Sequence, residues 1–90
     1  MGRLFVKYYA PFDKLMGKKE EELEIEGDKI KVSDFIKILI KKSGKLDIPM
    51  ESDEALSSQV LIVVDSNIAK LNDYIHDGSI VNILPPISGG

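Results

Sequence analysis

The chain has 90 residues and a mass of 10.0 kDa, the size of one compact core with little room for a deep private active site. A hydrophobic fraction of 43% and a charged fraction of 30% are those of a folded chain rather than a disordered one. The net charge of -3 gives no support for binding nucleic acid through its phosphates.

The residues Arg3-Leu4-Phe5-Val6-Lys7-Tyr8-Tyr9-Ala10 are rich in β-branched and aromatic side chains and alternate, which predicts a strand ended by Pro11. Residues 11–19 read as a loop or short turn over Leu15 and Met16. Residues 20–26 alternate acid and aliphatic toward their end and predict a second strand, forming a hairpin with the first and closed by Gly27-Asp28. Phe35, Ile36, Leu39 and Ile40 share one helical face and predict a helix at about 33–43. Ser33 is its expected N-cap, Asp34 favours its positive end, Lys41 and Lys42 its negative end, and Gly44 its stop. Residues 44–58 read as a long surface connection with one helical turn near 52–56. Val60-Leu61-Ile62-Val63-Val64 suits a strand covered on both faces, and Asp65-Ser66-Asn67 a turn. Residues 68–70 are at most a brief strand, His76-Asp77-Gly78-Ser79 is a turn, and Ile80-Val81-Asn82-Ile83-Leu84 is a last strand stopped by Pro85-Pro86. One helix across a small mixed sheet of four to five strands is an α+β architecture. It is expected to form a single domain over 1–90, with a flexible tail at 85–90.

No cysteine is present, which excludes disulfides, thiolate metal sites and a cysteine nucleophile and fits an intracellular protein. No apolar run approaches ~18 residues, and the first residues lack a secretory apolar region, so neither a membrane span nor export is expected. His76, the one histidine, has no serine or carboxylate constellation placed around it and reads as a surface residue. The acidic stretch Asp47, Glu51, Asp53 and Glu54 lacks the internal glycine and spacing of a calcium loop, so no metal site is expected. Residues 1–45 carry a net charge of +3 and residues 46–90 a net charge of -6. This reads first as a solvated acidic surface and second as a face for a basic partner.

The remaining signal is Pro85-Pro86-Ile87-Ser88-Gly89-Gly90. Two prolines stiffen the exit from the last strand and keep it out of the sheet. One apolar residue, a serine and two residues without Cβ then follow, a segment that can thread a channel too narrow for ordinary side chains. An α-carboxylate at Gly90 is sterically open, yet a carboxylate is a poor acyl donor until activated. The fold offers no groups to activate it, so a partner enzyme must do so.

Leu84-Pro85-Pro86-Ile87-Ser88-Gly89-Gly90 resembles the Phe-Pro-Pro-Val-Ser-Gly-Gly end of the family of molybdopterin synthase small subunits (MoaD). Val6-Lys7-Tyr8-Tyr9-Ala10, Val32-Ser33-Asp34-Phe35-Ile36 and Asp77-Gly78-Ser79-Ile80-Val81 resemble its first strand, helix start and last turn. The resemblance implies a β-grasp, ubiquitin-like fold and a cytoplasmic sulfur carrier without a catalytic site or bound cofactor of its own. It also implies that an adenylyltransferase related to ubiquitin-activating enzymes uses ATP and Mg to adenylate Gly90. A sulfur donor then makes the thiocarboxylate, and the molybdopterin synthase large subunit accepts the tail for molybdopterin synthesis. The same chemistry serves thiamine sulfur carriers (ThiS) and tRNA thiolation, and similar archaeal proteins are attached to target-protein lysines as modifiers. Leu84 replaces the family's aromatic residue, Asp65-Ser66-Asn67 replaces its Asn-Gly turn, and residues 44–58 are longer. Alternation places Phe5, Tyr9, Leu84 and Leu61 on the open face of the sheet, where they are expected to bind a partner unless residues 44–58 cover part of that face.

Overall fold

A computed structural model describes residues 1–86 of the chain, so the expectations placed on Ile87, Ser88, Gly89 and Gly90 lie outside the described residues. The elements run β1 (Gly2–Tyr8), α1 (Phe12–Met16), β2 (Glu20–Ile25), β3 (Lys29–Lys31), α2 (Val32–Ser43), α3 (Asp53–Ser57), β4 (Leu61–Val64), β5 (Asn67–Ile68), β6 (Tyr74–His76) and β7 (Ile80–Leu84). Five strands form a mixed sheet in the order β2-β1-β7-β4-β5, and β3 and β6 form a separate pair. The contact of β1 with β7 is parallel and the other pairings are antiparallel.

One face of the large sheet is covered. Leu4, Val6, Tyr8, Leu23, Ile25, Ile62, Val81 and Ile83 point to that side and are buried against Val32, Phe35, Ile36 and Leu39 of α2. The spacing of the four α2 residues is that of a single helical stripe, and burying it is what holds a helix this short. Gly44 ends the helix at φ +70°, where its N–H donates to the Ile40 carbonyl; a side chain there would strain the backbone. At the other end of the sheet the backbone comes unusually close. A Cβ on Gly2 would lie 2.8 Å from the Gly27 carbonyl oxygen.

Several expectations change. Ser33 is not the N-cap of α2: the helix starts at Val32, the cap is Lys31, and no side chain caps it. The first N–H groups instead donate to main-chain carbonyls, Val32 to Asp73 at 2.8 Å and Ser33 to Leu71 at 3.1 Å. A distant loop thus does the capping. Residues 44–58 are not a purely surface connection, because Leu46, Ile48 and Leu56 belong to the core. Its helical turn is present as α3, where the Ser52 hydroxyl accepts from the Ala55 N–H at 3.0 Å. His76 both ends β6 and opens the expected turn 76–79, its carbonyl accepting from the Ser79 N–H at 3.0 Å, and β3 is too short to show a pattern in the sequence. Residues 11–19 include the one-turn helix α1. Of the apolar run 60–64, Val60 and Ile62 are buried but Leu61, Val63 and Val64 are partly exposed, so only one of its faces is fully covered.

Candidate functional site

The uncovered face of the sheet is built by the alternate residues of the same strands that build the core. The pairing registers fix its rows. Glu22 of β2 pairs with Phe5 of β1, and Phe5 with Ile80 of β7. The next row out runs Glu20, Lys7, Asn82, Val63, Ile68. Beyond it Leu84 pairs with Leu61, and Tyr9, one residue past β1, is tied in by its N–H to the Ile83 carbonyl at 3.0 Å. Phe5 is 40% exposed, Tyr9 44%, Ile80 44% and Ile68 62%. Leu61 and Leu84 are half-buried against each other's strand. The open face is therefore an apolar surface with Lys7 and Asn82 in its middle and a rail of Glu20, Glu22 and Glu24 along the β2 edge.

The tail springs from this face. Leu84 ends β7 and leads into Pro85, which is exposed, and Pro86, which is half-buried. Of the four partner-binding residues expected from alternation, Tyr9, Leu61 and Leu84 lie at the root of the tail, and Phe5 lies on the same face two rungs back, beyond the Lys7–Asn82 row. Alternation carried back from Leu84 through Asn82 reaches Ile80, an exposed hydrophobic of the same face that the expected set omits. Ile68 carries no such signal, because a strand of two residues has no pattern.

Two polar clusters brace the two ends of β7, the first beside the root of the tail and the second at the start of the strand. The Tyr8 hydroxyl donates to Glu21 Oε2 at 2.5 Å, while Lys42 Nζ and Lys18 Nζ lie 3.2 and 3.5 Å from Glu21 Oε1. Burial is the main reason the Tyr8 phenol is pushed far above its ordinary range, with the bond to Glu21 and its negative charge adding to the rise. For Glu21, burial acts to raise the carboxyl, but the Tyr8 hydroxyl and the Lys42 and Lys18 ammonium groups together hold it below its ordinary value. On the other flank Asp65 and Ser66 turn the chain at positive φ, 47° and 78°. Asp65 Oδ1 accepts from the Ile80 N–H at 2.9 Å and its own N–H donates to the Ile80 carbonyl at 3.0 Å. The Ile80 amide, then the Ser79 hydroxyl, keeps the Asp65 carboxyl below its usual range.

The Tyr8–Glu21 pair sets a pH window. A phenol kept protonated in the fold stabilises it fully below the ordinary tyrosine value of 10.0, and that contribution is lost as pH rises beyond it. A carboxyl held low stabilises the fold above the ordinary glutamate value of 4.5 and is lost as pH falls through the lower, folded value. Thermal melts are expected to show a plateau between those limits with a fall on each side. Tyr8→Phe is expected to lower stability by about 1.5–3 kcal/mol, the range for a hydrogen bond to a charged group, and to flatten the alkaline limb. An unchanged alkaline limb in Tyr8→Phe runs against this assignment.

His76 is exposed and pairs through its backbone with Lys29. No group of three or more His, Cys, Asp or Glu is arranged to hold a metal ion among the described residues. No helix among them is long and apolar enough to cross a membrane.

A profile of the ThiS family matches residues 6–90 of the chain. No curated protein matches it by sequence. Among solved structures, it is similar to a protein described as molybdopterin converting factor subunit 1 from Pyrococcus furiosus, with 29% identity over 97% of this chain and 100% of that one and a TM-score of 0.79. It is also similar to small archaeal modifier protein 1 from Methanosarcina acetivorans, with 29% identity over 100% of this chain and 98% of that one and a TM-score of 0.74. A likeness of fold extends to the complex of subunits 1 and 2 of the molybdopterin-converting factor from Helicobacter pylori, at 20% identity over 98% of this chain and 99% of that one and a TM-score of 0.59.

Proposed function

The chain belongs to the ThiS family, and from that premise we propose that it carries sulfur on the α-carboxyl group of Gly90 for molybdopterin synthesis. The fold is the ubiquitin-like β-grasp, and the chain is one of the ubiquitin-like sulfur carriers and modifiers. The observation that carries the reading is the sequence Pro85-Pro86-Ile87-Ser88-Gly89-Gly90 leaving β7 beside an exposed apolar face.

In this reading a partner adenylyltransferase supplies ATP and Mg. A Gly90 carboxylate oxygen attacks the α-phosphorus of ATP and pyrophosphate leaves. Hydrosulfide delivered by a sulfur donor then attacks the acyl carbon and AMP leaves with one of the Gly90 oxygens, so that oxygen is replaced by sulfur. Pro85, Pro86, Ile87, Ser88 and Gly89 thread the tail into the partner's channel, and Phe5, Tyr9, Leu61 and Leu84 seat the domain against the partner. The molybdopterin synthase large subunit is the proposed sulfur-accepting partner. The likeness to subunit 1 of the Pyrococcus furiosus factor supports the reading.

The likeness to an archaeal modifier protein at equal identity favours a second reading, in which a target-protein lysine amine attacks the activated acyl carbon and forms an isopeptide bond. Sulfur carriage for thiamine or tRNA uses the same carboxylate and differs only in the acceptor. One experiment separates sulfur carriage from conjugation. Co-expression with the adenylyltransferase of the same genome and a sulfur source is expected to give an intact mass with one oxygen exchanged for sulfur. A ladder of conjugates lost on deletion of Gly89 and Gly90, without the sulfur exchange, would favour the modifier.

A further inference from the structure

Lys7 and Asn82 are cross-strand partners in the middle of the open face. Their surroundings are apolar on both sides, Phe5 and Ile80 in one direction and the pair Leu61 and Leu84 in the other. Three other cations near the sheet are paired with carboxylates. Arg3 lies 3.6 Å from Glu22 and 3.9 Å from Glu24, and Lys18 and Lys42 share Glu21. Lys7 makes no ion pair among the described residues, although Glu20 is its neighbour in register. Asn82 Oδ1 accepts from the Tyr9 hydroxyl at 3.3 Å, which fixes the amide and leaves its N–H groups as what it presents. Two donor groups, one of them charged, thus stand side by side on the open face, bordered along the strands by apolar residues and across them by Glu20.

We infer that the Lys7–Asn82 pair is a specificity anchor for the adenylating partner, which meets it with a carboxylate set among apolar side chains. This rests on the proposed function, since the enzyme that handles the tail must approach the face from which the tail springs. The chemistry selects the group. Covering Lys7 with an apolar surface leaves a buried charge unpaired, whereas a carboxylate can take a bond from each donor. The pair thereby favours the correct partner and rejects a purely apolar one. It also gives Lys7 a role that a solvated surface lysine lacks.

Calorimetric titration of the full chain against the adenylyltransferase of the same genome tests this. Lys7→Met keeps the length of the side chain and removes its charge, and it is expected to weaken binding by at least about 30-fold. Lys7→Arg should retain most of the affinity, and Asn82→Asp should weaken binding further by facing a carboxylate with another. Lys37→Glu, on the exposed face of α2, changes net charge more than Lys7→Met and should leave affinity within about threefold, because salt screens a distant charge. Equal binding by Lys7→Met and the wild type, or a loss as large in Lys37→Glu, overturns the inference while leaving the function intact. Failure of the wild type itself to bind overturns the proposed function and this inference with it.

Discussion

A leucine appended after Gly90 is expected to reduce adenylation by at least about a hundredfold, the loss that follows when a reacting group is displaced by roughly an ångström or more. The added residue moves the carboxylate onward by a full residue and places a branched side chain where two glycines had none. Neither change touches the described core, whose buried residues among residues 1–86 all lie at or before Ile83. The melting temperature should therefore match that of the wild type, which separates a blocked tail from a damaged fold. Deletion of Gly90 should fail in the same way, since Gly89 then presents its carboxylate one residue short. The measurement is release of pyrophosphate in the presence of the adenylyltransferase, with an intact mass to show that no protease has trimmed the extra leucine. Full activity with the leucine still attached would defeat the proposed chemistry.

Phe35→Ala is expected to destabilise the fold by about 3–5 kcal/mol, the usual range for an aromatic core truncation. Phe35 has no exposed surface and sits at the centre of the stripe by which α2 covers the sheet. A domain of this size holds about 5–14 kcal/mol in total, so one truncation removes a large share. The melting temperature should fall by roughly 15–30 °C. Ile80→Ala, on the open face, should shift the melt far less while weakening partner binding. If the two truncations had equal effects on stability, the assignment of covered and open faces would be wrong.

Period-two alternation makes the two faces of β1 and β7 readable from the residues alone. Once Leu4, Val6 and Tyr8 are assigned inward, Phe5 must point outward, and the buried and exposed residues follow that rule. Most of the stripe on α2 is equally readable: Phe35, Ile36 and Leu39 share the expected face and are buried, whereas Ile40 is only partly buried and Val32 is buried in its place. Capping is not. Ser33 has the right chemistry for an N-cap, but the carbonyls of Leu71 and Asp73 already satisfy those amides, and they come from a loop far along the chain. The core role of Leu46 and Ile48 is hidden for a related reason: isolated apolar residues among charges carry no period, and only the packed neighbour shows where they go. Lys7 and Asn82 look like ordinary polar residues in the sequence. Their pairing depends on a parallel register between segments 75 residues apart, which nothing local encodes.

Local order alone specifies the four longer strands of the large sheet, the main helix and the diglycine segment, because alternation, helical spacing and the absence of a Cβ are properties of neighbouring residues. Which donors stand unsatisfied on the open face is settled only in the packed chain, since a hydrogen bond or an ion pair is spent or free only when distant segments meet. The parallel contact of β1 with β7 brings the aromatic end of the first strand beside the root of the tail.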